Sequence, residues 1–142
     1  MADKLTPERR SWNMSRISGK DTKPEITVRK YLTEKGVRYR KNVSGLPGKP
    51  DIAIKKYKLA MEIRGCFWHG HSNCERFRLP KSKTEFWADK ISKNKNRDMA
   101  NEIKLADLDF SLYVIWECEV LARNFEKADD FIKEYFKRRN TA

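Results

Sequence analysis

Residues 65–74 read Gly-Cys-Phe-Trp-His-Gly-His-Ser-Asn-Cys and contain both histidines and two of the three cysteines of the chain. A structural zinc takes four thiolate or imidazole ligands in a tetrahedron. Cys66, His71 and Cys74 offer three such ligands, and Cys118 offers a fourth. This spacing predicts a zinc site that holds the segment in place. The alternative is a metal-free chain with buried thiols and solvated histidines.

His69 is left over from this ligand set. Imidazole titrates near neutral pH, so a histidine held beside a rigid metal site is a candidate general acid or base. Phe67 and Trp68 precede it and adjoin ligands of the same loop, where full burial is difficult. We therefore expect both aromatic side chains to be partly exposed.

The length and cysteine content of the chain limit its class. A chain of 142 residues fits one domain, residues 1–142, which can bury a core without disulfides. An odd number of cysteines leaves a thiol unpaired in a monomer, which favours a reducing compartment. The sequence has no long apolar run and no signal-peptide pattern at its start. We therefore expect a soluble cytoplasmic protein without a membrane partner.

The charge of the chain indicates its partner. Lys and Arg number 32 against 20 Asp and Glu, which gives a formal net charge of +12. Such an excess, mixed with four Trp and seven Phe, is typical of a nucleic-acid-binding protein. A merely basic soluble protein is the alternative. A membrane-surface protein would need a basic amphipathic helix with a wide apolar face, which the sequence lacks.

The first half of the chain predicts two helices, an edge strand and a hairpin. A capping residue and an early proline predict a helix over residues 6–17, within an N-terminal arm of residues 1–20 that would contact DNA phosphates. Residues 24–35 show helical spacing, with Glu25 in the first turn, where the helix dipole alone would also favour a carboxylate. Alternating residues predict an edge strand over 37–43, and 51–54 with 59–63 predict an antiparallel hairpin.

The second half predicts a long helix, a strand and a closing helix. Ser82 and Glu85 form a capping-box pattern before a helix over residues 83–108. Residues 110–116 form a continuous apolar run that predicts a buried strand. A closing amphipathic helix follows from about residue 125, with a frayed tail over residues 137–142. The apolar stripe predicted for the long helix contains Phe86, Trp87, Ile91, Met99, Ile103 and Leu108.

An acidic motif precedes the histidine segment. Pro50-Asp51 is followed on the next predicted strand by Glu62 and Arg64. Side chains two residues apart on a strand share a face, so Glu62 and Arg64 lie together, and Asp51 can join them from the neighbouring strand. Two carboxylates and a cation suit Mg²⁺-assisted hydrolysis of a phosphodiester. A surface ion pair would explain Glu62 and Arg64 equally well.

Taken together, these segments resemble the very short patch repair (Vsr) DNA mismatch endonucleases, which belong to the PD-(D/E)xK nuclease superfamily. The resemblance covers most of the chain in order, and Gly-Cys-Phe-Trp-His-Gly-His at residues 65–71 is highly specific. The other matching segments are residues 10–17, residues 19–25, Leu46-Pro47-Gly48-x-Pro50-Asp51, Phe86-Trp87-x-x-Lys90-Ile91-x-x-Asn94-x-x-Arg97-Asp98 and Trp116-Glu117-Cys118.

The resemblance implies an α/β fold with a mixed β-sheet flanked by helices, the restriction-endonuclease-like fold, with a structural zinc site. It implies that Asp51 is the principal magnesium ligand and that His69 is the general acid or base. It also implies that Glu25 orients either that histidine or a metal-bound water. The ligands that it implies for zinc are Cys66, His71, Cys74 and Cys118.

The resemblance also implies how the chain would contact DNA. Phe67, Trp68 and Trp87 correspond to aromatics that wedge into the base stack from the major groove, although the periodicity of Trp87 also fits a buried stripe. Met14 and its helix correspond to an arm that enters the minor groove. Further DNA contacts are expected from the polar residues Arg16, Lys20, Lys90 and Asn94.

The chain departs from the family pattern in the second strand and in the zinc loop. Glu62, Ile63 and Arg64 stand where well-known members carry an aromatic residue, a threonine and a histidine. Loss of that histidine removes a proton-transfer or phosphate-binding group. Glu62 and Arg64 would instead supply a second magnesium ligand and a guanidinium for the scissile phosphate. One extra residue before Cys74 loosens the zinc loop.

Our hypothesis is a monomeric, Mg²⁺-dependent DNA endonuclease that nicks duplex DNA at T·G mismatches arising from deaminated 5-methylcytosine. Such an enzyme would be associated with the nucleoid. Other mismatch-repair proteins are a further class of partner. One alternative is a Vsr-like nuclease of different DNA specificity. A second is a zinc-stabilised DNA-binding module without cleavage, against which the joint presence of Asp51, His69 and Glu25 argues.

Overall fold

The computed structural model describes residues 22–141 of the chain. The helix predicted over residues 6–17, with Met14, Arg16 and Lys20, lies outside them. The described elements are α1 (Lys23–Glu34), β1 (Arg40–Lys41), β2 (Ile52–Ile54), a 3-10 turn (Lys55–Tyr57), β3 (Leu59–Arg64), α2 (Thr84–Asp107), β4 (Ser111–Trp116), α3 (Glu117–Leu121) and α4 (Glu126–Thr141).

The four strands form one mixed sheet in the order β1-β2-β3-β4. β2 pairs antiparallel with both β1 and β3, which confirms the predicted hairpin. β4 lies parallel to β3, from Leu59 beside Ser111 to Arg64 beside Trp116. The edge strand predicted over residues 37–43 is only the two residues of β1, because Asn42 turns away at φ 51°.

The two faces of β3 serve different purposes. Leu59, Met61 and Ile63 belong to the buried core, together with residues of α1 and α4. The intervening Glu62 and Arg64 point to the other face, where Arg64 reaches Glu102 on α2. The sheet therefore separates a hydrophobic core on one side from a polar site on the α2 side. No helix between residues 22 and 141 is long and apolar enough to cross a membrane.

Helix α1 begins as the sequence predicts. The Thr22 hydroxyl accepts a hydrogen bond from the backbone N–H of Glu25 at 3.4 Å, which caps the helix. Val28 and Leu32 are fully buried against the sheet. This packing leaves Glu25, also buried at 3% exposure, at the end of the helix nearest the polar face.

The start of α2 differs from the predicted capping box. Its N-cap is Lys83 in the left-handed region at φ 55°, and no side chain caps it. Thr84 instead donates its hydroxyl back to the carbonyls of Pro80 and Lys81, at 2.8 and 3.1 Å. Ser82 and Glu85 therefore do not form the predicted pair.

The apolar stripe predicted for α2 is also wrong in most of its positions. Ile91 and Leu105 are the buried residues of this helix. Trp87 is half-buried, whereas the remaining predicted positions, Phe86, Met99, Ile103 and Leu108, are 47–62% exposed. The other face of α2 carries the polar residues that line the site, so the helix contributes few side chains to the core.

The end of the chain and β4 differ from prediction as well. α4 continues to Thr141 instead of fraying after residue 136. Arg138 explains this, because its guanidinium donates to the carbonyl of Tyr57 at 2.6 Å and to the hydroxyl of Ser111 at 2.8 Å. β4 is half-buried except for Ile115, because it forms an edge of the sheet.

Candidate active site and metal centre

A cleft of about 1070 Å³ opens between the start of α1, the adjoining ends of β2 and β3, and the middle of α2. It brings together eight residues predicted from the sequence: Glu25, Asp51, Glu62, Arg64, Phe67, Trp68, His69 and Lys90. It also includes residues to which the sequence analysis assigned no role, among them Lys49, Arg97, Asp98, Asn101 and Glu117.

Asp51 immediately precedes β2 and lies beside the carboxyl end of β3. Its Oδ2 accepts a hydrogen bond from the backbone N–H of Ile63 at 2.7 Å, which fixes the carboxylate at the floor of the cleft. The pKa of Asp51 is raised from 3.8 to about 7, mainly by burial and also by the nearby carboxylates of Glu25 and Glu62, against the opposing hydrogen bond from Ile63. A site that resists its own negative charge in this way favours a bound cation.

Glu62 and Arg64 form a buried ion pair, not the surface pair of the alternative interpretation. The Oε2 of Glu62 lies 2.9 Å from Nε and 2.8 Å from Nη2 of Arg64, and both residues are less than 10% exposed. Nη2 also donates to Glu102 at 3.0 Å. Burial raises the pKa of Glu62, and Arg64 opposes that shift. The guanidinium is thus shared between two carboxylates.

His69 has a carboxylate partner that the sequence analysis did not assign. Its Nδ1 lies 2.6 Å from Oδ2 of Asp98 on α2. In the neutral imidazole with the Nδ1 proton donated to this carboxylate, Nε2 carries the lone pair, and the residue lines the cleft. The Glu25 carboxylate lies 3.6 Å from the Arg29 guanidinium, and the Glu25 backbone N–H donates to the Thr22 hydroxyl. Nothing in the sequence spacing indicated Asp98, because 29 residues separate it from His69.

The four predicted zinc ligands meet. The Sγ atoms of Cys66, Cys74 and Cys118 and a ring nitrogen of His71 all lie within 4.8 Å of one another. Zn–S bonds of about 2.3 Å place tetrahedral ligands about 3.8 Å apart, so this donor set fits one zinc ion. Burial raises the pKa of the Cys66 thiol to about 12 in the absence of a cation.

A ring stack and a backbone hydrogen bond hold three of these four residues in place. The ring of His71 stacks on that of Trp116, with centroids 3.9 Å apart and planes at 6°. The backbone N–H of Cys118 donates to Sγ of Cys66 at 3.4 Å. Trp116 also lies beneath the Arg64 guanidinium at 5.9 Å. The Cys/His cluster and the acidic cleft therefore lie side by side at the carboxyl ends of β3 and β4, with Trp116 packed between His71 and Arg64.

The three residues predicted to wedge into DNA form one aromatic group, of which Phe67 and Trp68 line the cleft. Phe67 packs edge-on to Trp68 at 5.2 Å, and Trp87 lies 5.6 Å from Phe67 and 5.8 Å from Trp68. All three are half-buried. Trp87 therefore packs against the metal-site loop, not in the core behind the sheet, and we call these three residues the aromatic group.

Two further residues predicted to bind DNA lie on α2. Lys90 is exposed and lines the cleft. Asn94 uses both ends of its amide within the protein: Nδ2 donates to the Trp68 carbonyl at 2.9 Å, and Oδ1 accepts from Arg97 at 3.0 Å. Asn94 thus ties the loop of the aromatic group to α2.

The site combines carboxylates at the ends of the central strands of a mixed sheet with a histidine–aspartate pair, in a chain of net charge +12. This combination suits hydrolysis of a polyanion and indicates the class of DNA endonucleases. Comparison with known proteins agrees. A family model described as "DNA mismatch endonuclease Vsr" matches residues 2–76. The chain belongs to the Vsr family of DNA mismatch endonucleases.

Individual relatives cover most of the chain. The type II nicking enzyme V.NmeAIP of Neisseria meningitidis serogroup A is 50% identical over 120 residues, which span 84% of this chain and 85% of the relative. The type II nicking enzyme V.XorIIP of Xanthomonas oryzae pv. oryzae is 42% identical over 84% and 88%. The DNA mismatch endonuclease Vsr of Escherichia coli K12 is 38% identical over 92% and 81%. The protein is a DNA nicking endonuclease.

Proposed function

We propose that this endonuclease uses Mg²⁺ to nick one strand of duplex DNA at a T·G mismatch that arises from deaminated 5-methylcytosine. The observation that carries the proposal is the half-exposed aromatic group beside an acidic cleft. Apolar side chains that enter a base step unstack it at a cost of a few kcal/mol, and a mispaired step is the easiest to open. The resemblance to the mismatch endonuclease of E. coli supports the same substrate.

The acidic residues would hold the metal. Asp51 and Glu62 are the hard oxygen ligands that Mg²⁺ prefers, and burial raises the pKa of both carboxyls, as expected of a site made for a cation. When bound, Mg²⁺ supplies positive charge to the phosphate and polarises its oxygens.

His69 would act as the general base. Its Nε2 accepts the proton of the attacking water, while Asp98 holds the Nδ1–H and stabilises the imidazolium that forms. The water oxygen bonds to phosphorus, and the bond from phosphorus to the leaving ester oxygen breaks. Arg64 would contribute positive charge near the phosphate, from a position fixed by Glu62 and Glu102. Glu25 would orient a water beside Asp51, since His69 already has a carboxylate partner.

The remaining predicted residues would position the duplex. Phe67, Trp68 and Trp87 would enter from the major groove, and Lys90 would neutralise a phosphate. Asn94 would contribute mainly by holding the Trp68 loop. Met14, Arg16 and Lys20, outside the described residues, would contact the minor groove and phosphates. The four-ligand cluster would hold structural Zn²⁺ and keep the loop rigid.

The names of two relatives favour one alternative. Both are named type II nicking enzymes, and those names do not specify a mismatch. A nuclease of the same construction that recognises a different DNA site is therefore our second candidate. The match to a family of endonucleases argues further against a DNA-binding module without cleavage.

Duplexes that differ at one base pair separate these functions. The protein and Mg²⁺ are incubated with labelled duplexes that carry T·G, T·A or C·G at one position, in several flanking sequences, and the cut ends are mapped at nucleotide resolution. We expect a single nick beside the T of T·G and little cutting of paired duplexes. Equal cutting of T·G and T·A in every context would overturn mismatch specificity and support the second candidate.

A further inference from the structure

The edge of the sheet beyond the cleft carries cations without acidic partners. Arg40 on β1, Lys49 in the loop before β2 and Lys55 after β2 are all exposed. Within residues 22–141, no carboxylate lies within ion-pair distance of any of the three, and the same holds for the exposed Lys41 and Lys133, whereas Lys58, Lys127 and Arg138 each have one. We call Arg40, Lys49 and Lys55 the cationic strip.

The register of the sheet places Arg40 on the same face as the cleft. Arg40 pairs with Ala53, and Ala53 pairs with Ala60. Cross-strand partners share a face, and alternation along β3 then puts Ala60, Glu62 and Arg64 on that face. The adjacent Lys41 pairs with Ile52, a core residue, so it points to the opposite face.

The loop between β1 and β2 joins the strip to the catalytic carboxylate. Asn42 donates its backbone N–H to the Asp51 carbonyl at 2.9 Å, and Val43 donates to Pro50 at 3.2 Å, so the loop leaves and returns beside Asp51. Lys49 lines the cleft itself. The ammonium of Lys55 lies 3.4 Å from where a side chain on Gly45 would begin, so Lys55 extends over this loop.

We propose that the cationic strip binds the sugar–phosphate backbone of the duplex that flanks the cut, on the side away from the aromatic group. β1 and β4 are opposite edges of the sheet, and the aromatic group and metal cluster follow β3 and β4. Strands lie about 4.8 Å apart, so Arg40 is about 5–10 Å from the Asp51 position. With a rise of about 3.4 Å per base pair, the contacted phosphates lie about two to three base pairs from the nick.

An edge strand also uses charged residues to prevent pairing with another sheet. That role would not require the charges to share the face of the cleft, nor to continue through Lys49 and Lys55 in the flanking loops. The position of Arg40 on the face of the cleft and of Lys49 in the cleft lining therefore favours a polyanion as the occupant. This inference rests on the protein's action on DNA, but not on mismatch specificity.

The test compares two double variants with equal loss of charge. Arg40→Gln/Lys55→Gln removes two strip cations. Lys41→Gln/Lys133→Gln is the matched control, with one residue on the opposite face of β1 and one exposed residue on α4, which packs on that same opposite face. Binding to a 30-base-pair paired duplex is measured without Mg²⁺ as a function of NaCl concentration.

Each phosphate contact contributes about 0.9 to the slope of log K against log salt concentration. We expect the strip variant to lower that slope by about 1–2 and to weaken binding at least about tenfold near 0.15 M salt, whereas the control retains the wild-type slope. Hydroxyl-radical footprints should lose protection on one flank only. Equal slopes for the strip variant and wild type, or equal losses in both variants, would overturn the proposal.

The paired duplex keeps this result separate from the proposed substrate. If wild type fails to prefer T·G, the mismatch proposal fails while the slope comparison still stands. Thermal unfolding of each variant checks folding, and single Arg40→Gln and Lys41→Gln proteins repeat the comparison with one exposed charge each.

Discussion

At the scale of single residues, the cleft contains buried carboxylates whose negative charges repel one another, and a bound cation would relieve that repulsion. Asp51 is buried beside Glu25 and Glu62, and its pKa rises to about 7. Glu62 is compensated by Arg64, which Glu102 also holds. His69 is oriented by Asp98. Substitution of Asp98, Glu62 or Asp51 should therefore change a different measured property in each case.

The Asp98 carboxylate should be needed for the rate and not for binding. Asp98→Asn would allow the wrong histidine tautomer and remove the charge that stabilises the imidazolium, so we expect nicking about 10²–10⁴-fold slower, similar to His69→Ala. Single-turnover nicking measures the rate and fluorescence anisotropy the affinity. Asp89→Asn, an exposed change on the same helix, is the control. A full rate with Asp98→Asn would exclude this role.

Glu62→Gln should change the dependence on Mg²⁺. Loss of a charged metal ligand should raise the Mg²⁺ concentration for half-maximal nicking about tenfold or more and lower turnover. Glu102→Gln is the matched control, because it removes the other carboxylate that holds Arg64. If Glu62→Gln left the Mg²⁺ dependence unchanged, Glu62 would only pair with Arg64, and Asp51 would be the sole acidic ligand.

Asp51→Asn should stabilise the Mg²⁺-free protein at high pH. The pKa of this carboxyl is about 7 in the folded protein, against 3.8 for the free group, so between these pH values the folded state binds more protons than the unfolded state. The free energy of unfolding of the wild type therefore falls as the pH rises through this range. Asparagine does not ionise and keeps an oxygen for the Ile63 N–H. We expect a Tm gain on the order of 3 °C at pH 8 and less at pH 5. Asp89→Asn again serves as the control, and equal gains at both pH values would contradict this account.

At the scale of elements, the loop between β3 and α2 has little regular structure of its own. Residues 65–83 contain no helix or strand, and their order comes from the metal-ligand cluster, the His71–Trp116 stack and the Asn94 hydrogen bond to Trp68. The loop carries both His69 and two members of the aromatic group. In the proposed function, its order is therefore needed both for the action of His69 and for the entry of the aromatic group into DNA.

Loss of one zinc ligand should disorder this loop. Cys118→Ser should reduce bound zinc from about one per chain to near zero and lower Tm by several degrees, because a structural zinc contributes folding free energy directly. Ser72→Ala, an exposed change in the same loop, should alter neither. Zinc is counted by metal analysis of protein purified without chelators. Protein that holds no zinc before mutation would refute the assignment.

At the scale of the whole molecule, the sheet divides structural and functional roles. α1 and α4 bury the core on one face, while α2 presents Lys90, Arg97, Asp98 and Asn101 to the cleft on the other. α2 can expose apolar residues on its outer side because the core does not depend on it. The aromatic group and the cationic strip then lie toward opposite edges of the same face.

The aromatic group should determine discrimination more than affinity. Trp68→Ala should reduce the preference for T·G over T·A duplexes at least about tenfold, since stacking contributes about 1–3 kcal/mol per base, and weaken total binding less, because phosphate contacts dominate affinity. Competition binding and nicking rates on both duplexes measure this. Ile103→Ala, on α2 and 62% exposed, is the control. Unchanged discrimination in Trp68→Ala would exclude the wedge.

The sequence by itself determined the ligand set of the metal cluster, the antiparallel hairpin, and the placement of Asp51, Glu62 and Arg64 at one site, because these depend on ligand chemistry and on the two-residue period of a strand. It did not determine the partner of His69, the burial of the Glu62–Arg64 pair, the start of α2 or the exposed positions on that helix. Those depend on which distant segments meet. Only the tertiary structure brought Asp98, 29 residues away, to His69, and only the register of β1 showed that Arg40, and not Lys41, shares the face of the cleft. Local pattern specifies which groups a strand or loop presents, whereas packing of α2 against the sheet decides what those groups contact.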